Sequence, residues 1–206
     1  MEERPLTEQE SLSLIQQMIQ TAKAEQKDDG KEWIVWGWVL FAASILTFLN
    51  LQLHWFSTYF FWNLFGLFTI GFFLYRVVTR FFFKKPQRVK TYTAAIFEKL
   101  NAGYFIFLFF IIFAINLGVG PAKGFALLIA LYAFWVLIHG TVLNFKPSIV
   151  AAFVMWGIGF VCLYLQNIQW VMLLHGLAVL IGYIIPGHIA NREFNKIKSG
   201  ESYRSV

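Results

Sequence analysis

Charged side chains leave four long gaps in this chain. No Asp, Glu, Lys or Arg occurs in residues 33–75, 100–122, 124–145 or 147–191. A helix needs about 20 mostly apolar residues, each rising 1.5 Å, to cross roughly 30 Å of hydrocarbon. The first and last gaps each hold two such helices, parted by short turns at "LQLHW" (51–55) and "QNIQ" (166–169). The middle two hold one apiece. The pattern predicts an all-α, polytopic transmembrane bundle of six spans, at 33–53, 56–78, 103–119, 125–145, 148–166 and 169–190. Residues 1–32 then form a polar leader, 33–190 the membrane domain and 191–206 a basic tail.

The leader has a different periodicity. In "LTEQESLSLIQQMIQTAK" (6–23), Leu12, Leu14, Ile15, Met18, Ile19 and Ala22 share one side of a helical wheel. Thr7 and Glu10 make a capping box that satisfies free backbone donors at the helix start. A helix this short is marginal alone, so its apolar stripe must be covered. Helices that lie on membranes carry Lys and Arg on the polar face, whereas this one carries Gln, Ser and Glu, followed by the acidic linker "EQKDDGKE". The stripe Leu12, Ile15, Met18, Ile19 and Ala22 is therefore expected to dock on protein. The surface is a partner, a second copy, or the chain's own stretch "TYTAAIFEKL" (91–100). After Pro86, "QRVKTYTAAIFEKLNAGYF" predicts an amphipathic helix running into the third span.

Composition agrees with a lipid solvent. Charged residues make up 14% of the chain, against about 25% in soluble domains. With 58% hydrophobic residues, one soluble core is too small to hide the apolar surface. The polar leader and a first apolar run without a small-residue cleavage site predict an uncleaved first span. Charge placement supplies orientation. Of the 17 Lys and Arg, 16 fall on one side of the predicted topology and only Lys123 on the other. Positively charged loops stay in the cytoplasm, so both termini and the loop holding Lys84, Lys85, Arg88 and Lys90 are expected there. The net charge of +6 flanks lipid spans and is no nucleic-acid footprint. Trp33, Trp36 and Tyr104 are expected at the inner interface, and Trp55, Tyr59, Tyr164 and Trp170 at the outer one.

Chemistry is sparse. Apart from Arg76 near the inner end of the second, the spans contain no ionisable group except histidine, Tyr and the lone Cys162, which reads as packing. No H-E-x-x-H, G-x-S-x-G or phosphate-binding loop occurs, so an enzyme, a metal centre and a bound cofactor are not expected. The candidate intramembrane polar positions are Asn63, Asn116, His139, His175 and His188. Counting along the helices puts His139 and His175 about 13 Å apart along the membrane normal, too far to share an ion. Each is expected to bond across a helix contact. Pro186, Gly187 and His188 are expected to kink or stop the last span at the inner surface. In the rival reading, a broken helix there lines a cavity.

The leader helix "LTEQESLSLIQQMIQTAK", then "VLNFKPSIVAAFVMWGIGFVCLYL" and "IGYIIPGHIAN", resemble, in that order along the chain, a family of uncharacterised bacterial integral membrane proteins. The resemblance implies a six-span inner-membrane architecture and no particular activity. The expectation is a non-enzymatic accessory, scaffold or sensory component acting through cytoplasmic protein contacts. The alternative is a small-solute or lipid transporter with a pathway lined by Asn63, Asn116, His139 and His175.

Overall fold

A computed structural model describes residues 29–82 and 92–198. The leader stripe of Leu12, Ile15, Met18, Ile19 and Ala22, the loop cations Lys84, Lys85, Arg88 and Lys90, and the chain after residue 198 lie outside the described residues. The described chain is helical and without strands. Its elements are α1 (Lys31–Leu53), α2 (Phe60–Phe82), α3 (Tyr92–Ala114), α4 (Pro121–Val142), α5 (Lys146–Tyr164), α6 (Ile168–Val179) and α7 (Ile185–Lys198). A kinked turn at Ile115–Val119, with Gly118 at φ 121°, joins α3 to α4, and a widened turn at Leu180–Ile184 joins α6 to α7 without a break. Five helical stretches are long and apolar enough to cross a membrane: Lys31–Leu53, Ile96–Val119, Pro121–Val142, Lys146–Tyr164 and Ile168–Lys196. In α2 the apolar stretch is shorter, Phe60–Phe72.

Helices α4 and α5 make the closest pair, α1 packs along α6, and α2 and α3 are attached to the outside of α1 and α4. The inward stripes interleave small residues with larger apolar ones. On α4, Ala126, Ile129, Ala133, Val136 and Gly140 recur at helical spacing, and on α5 Ser148, Ala152, Met155, Gly159 and Cys162 do the same. Short side chains let backbones approach, which lipid-embedded helices need because lipid leaves no hydrophobic force between them. Helix α1 inverts the soluble pattern. Gly37, Leu40, Ser44, Thr47 and Asn50 face inward, while Val35, Trp38 and Leu46 face out. Ser44 and Thr47 stay compatible with a helix by donating to the carbonyls of Leu40 (2.8 Å) and Ala43 (2.7 Å). Bulky apolar residues cover the outside of α3, with Ile106, Phe107, Phe109, Phe110 and Phe113 all exposed.

Two turns close the bundle. His54 ends α1 at φ 55°, and Asn50 holds the following loop, accepting from Phe56 N–H (2.8 Å) and donating to the carbonyls of Phe56 and Ser57 (3.3 and 3.0 Å). This is the Asn50 end. At the other, the Gly30 end, Asn144 takes φ 51° between α4 and α5.

Three expectations change. Of the two expectations at Pro186, a kink or a stop, the stop does not occur: the helix continues to Lys198. A proline ring collides with the carbonyl four residues back in a regular α-helix. Here the turn before it is widened, Ile185 N–H bonding the carbonyl of Leu180 five residues back, and the chain passes through. Tyr104, expected at the inner interface, is half-buried and packs on Tyr132 and Trp135. Asn116 makes no bond across a helix contact, because it is exposed and donates to the carbonyl of Ile112 in its own helix (2.8 Å).

Candidate functional site

At the Gly30 end, the start of α1, the α4–α5 turn and the start of α7 leave a space between them. The cavity has a volume of about 380 Å3, and its apolar wall includes Trp33, Leu143, Phe145, Pro186 and Ala190. His139, Asn144, Lys146, Ser148 and Glu193 supply its polar lining. Glycines set how close the walls come. Gly30, at φ 69°, sits against the backbone of Gly187, and a Cβ on Gly187 would meet Ile34 Cγ1 at 2.9 Å and Trp33 Cβ at 3.2 Å. Asn191 locks the same crossing by donating to the carbonyl of Asp29 (2.7 Å). Pro186 and Gly187 are thus buried in the wall, while His188 turns outward and is exposed.

From this cavity a column of rings runs into the bundle. His139 lies against Trp33 (centroids 4.5 Å apart) and Phe97 (5.3 Å). Trp33 lies on Tyr183 (4.8 Å), Tyr183 on Tyr132 (6.1 Å), and Tyr132 on His175 (5.7 Å). Tyr104 adds a ring beside Tyr132 from the side of α3 (centroids 6.5 Å apart). The two histidines therefore stand at opposite ends of one aromatic column and do not meet. Among the described residues, no group of three His, Cys, Asp or Glu comes together.

His175 is fully buried, boxed by Trp62 (5.3 Å), Phe125 (5.5 Å) and Tyr132. Its Nδ1 lies 2.8 Å from Ser44 Oγ. The serine proton is engaged with the Leu40 carbonyl, so the hydroxyl oxygen accepts and Nδ1 carries the hydrogen. That tautomer leaves Nε2 as a bare acceptor, and it has no partner. Close by, Trp62 Nε1 donates to Met172 Sδ (3.3 Å).

The structure separates the remaining candidates. Asn63 and Asn116 are exposed on α2 and on the α3–α4 turn, far from forming a lining with His139 and His175. The residues that sequence reasoning passed over are Ser44, Asn50, Ser148 and Tyr183. Their signal was faint. Ser44 and Asn50 do share a helical face with Gly37 and Thr47, but a polar residue in an apolar run says nothing of which partner it meets.

No protein-family model, no curated protein and no solved structure matches the chain.

Proposed function

We propose that the chain is a six-span protein of a bacterial inner membrane, with both termini cytoplasmic. It works as a non-enzymatic accessory, scaffold or sensory component through protein contacts on that face. One observation carries the reading: at a single end of the bundle, the cavity, the Asp29–Asn191 crossing and the exposed cations Lys146 and Arg192 coincide. The leader stripe Leu12, Ile15, Met18, Ile19 and Ala22 departs from the same end, because Asp29 is fixed there. The sixth span is α2, whose 23 residues reach about 34 Å at 1.5 Å each. Arg76 and Arg80 belong to its last two turns. The interior supports a role without transport, since small residues close the α4–α5 and α1–α6 seams and the four polar candidates do not align.

Two experiments test this. Reporter fusions near Lys84 and Lys85 are expected to read as cytoplasmic, and a periplasmic signal there rejects the topology. Deleting residues 1–27 is expected to leave a folded, membrane-inserted protein that loses its co-purifying partners or its larger assembly. Unchanged partners and size after the deletion reject the docking role.

A further inference from the structure

The cavity at the Gly30 end has chemistry that docking of the leader does not use. It lies where α1, α5 and α7 meet the end of the bundle. Its volume of about 380 Å3 falls in the range of small-molecule sites, about 300–1,000 Å3. Its polar groups are of two kinds. Helix α5 begins at Lys146 with no side chain capping it, so the positive end of a 19-residue helix faces the lining. Ser148, two residues on, is only 3% exposed, lines the cavity, and forms no side-chain hydrogen bond among the described residues. Its hydroxyl is therefore available to a group bound in the cavity. Together with the Lys146 ammonium, these donors suit a phosphate. The lining also contains Glu193 and the Trp33 ring, a carboxylate and an aromatic face, which suit a cation. Glu193 is wrong for a simple anion site.

We infer that this cavity binds a zwitterionic phospho-amine headgroup, its phosphate at Lys146 and Ser148 and its ammonium towards Glu193 and Trp33. Leu143, Phe145, Pro186 and Ala190 cover the adjoining carbon atoms. The same chemistry occurs in phosphatidylethanolamine and in free phosphoethanolamine. The inference goes beyond the docking role and needs only that the cavity stand at a membrane surface.

The test is native mass spectrometry of the full chain purified in maltoside detergent and offered equal phosphatidylethanolamine and phosphatidylglycerol. The expected result is at least fivefold more retained phosphatidylethanolamine. Ser148→Ala is expected to lower that retention severalfold. Glu193→Gln is expected to erase the preference between the two lipids while phosphate-dependent retention survives. Both variants should keep the parent's melting temperature within a few degrees; if Ser148→Ala unfolds, Lys146→Gln, at an exposed position, takes its place with the same expectation of lowered retention. Millimolar O-phosphoethanolamine that displaces the lipid identifies the headgroup alone as sufficient. Failure to displace, with the preference intact, identifies the membrane lipid as the ligand. Equal retention of both lipids by the parent protein overturns the inference. So does a preference untouched by all the variants.

Discussion

Gly37→Val is expected to destabilise the purified protein by about 3 kcal/mol. A Cβ at this position meets Ile184 Cγ1 at 2.8 Å and Tyr183 Cβ at 3.0 Å, and the Ile184 backbone nitrogen at 3.4 Å. One of these contacts is the base of a side chain and another is main chain, so neither can swing aside. Valine adds two further methyl groups and is stiff about χ1. The α1–α6 seam must part or shift along its length, and the Trp33–Tyr183 contact parts with it. The measurement is the unfolding midpoint in detergent, by tryptophan fluorescence or by exposure of the buried Cys162 thiol. The control is Gly157→Ala, where an added Cβ meets nothing within 4 Å. That change is expected to be neutral or to stabilise by up to about 1 kcal/mol, from alanine's better helix propensity. Equal effects of the two substitutions refute the close crossing.

The second expected result is an asymmetry between two partners in one hydrogen bond. Ser44→Ala should cost about 1–2 kcal/mol, and His175→Leu less than about 1 kcal/mol. Without Ser44 the imidazole has no partner on either nitrogen, whichever tautomer it adopts. Without His175, Ser44 keeps its bond to the Leu40 carbonyl, and the unpartnered Nε2 disappears with the ring. Leucine then fills a box of Trp62, Phe125 and Tyr132 that is already apolar. Thermal unfolding of the two variants side by side decides the matter. If His175→Leu is the more damaging of the two, the tautomer assigned from the Ser44–Leu40 bond is wrong. A stable His175→Leu protein that has lost its cellular role gives the bare nitrogen a task beyond packing.

Much of the architecture was legible because charge and length act locally. A gap without Asp, Glu, Lys or Arg predicts an apolar helix wherever it is long enough; α6 lies wholly in such a gap, and α1, α3, α4 and α5 have most of their length in one. At the end of the last span the limit was local as well. Pro186 and Gly187 in isolation argue for a kink or a stop, and only the widened turn at Leu180–Ile184, an adjustment of hydrogen-bond register, lets the helix continue. The contacts of Tyr104 were not legible, because an amphipathic ring near a predicted helix end suits an interface and a core equally. The cavity was the least legible feature. Trp33, His139, Lys146, Ser148, Pro186 and Glu193 come from four segments spread over 161 positions. None of their spacings repeats, so only the way the helices cross assembles them. In a membrane protein the inward stripe is small and weakly polar. Hydrophobic periodicity therefore carries almost no information about which faces meet, and the near-uniform apolarity of α1, α4 and α5 hides Ser44, Asn50 and Ser148.

The crossing of Gly30 with Gly187, bolted by Asn191 on the Asp29 carbonyl, also fixes a tether point. Only residues 23–28 separate that point from the leader stripe that ends at Ala22. Six extended residues reach at most about 21 Å. Any surface within that radius meets the leader at a millimolar effective concentration, so even a weak contact there is occupied most of the time. A protein held by the leader is correspondingly confined to the rim of the cavity, and what fills the cavity becomes part of the surface that protein meets.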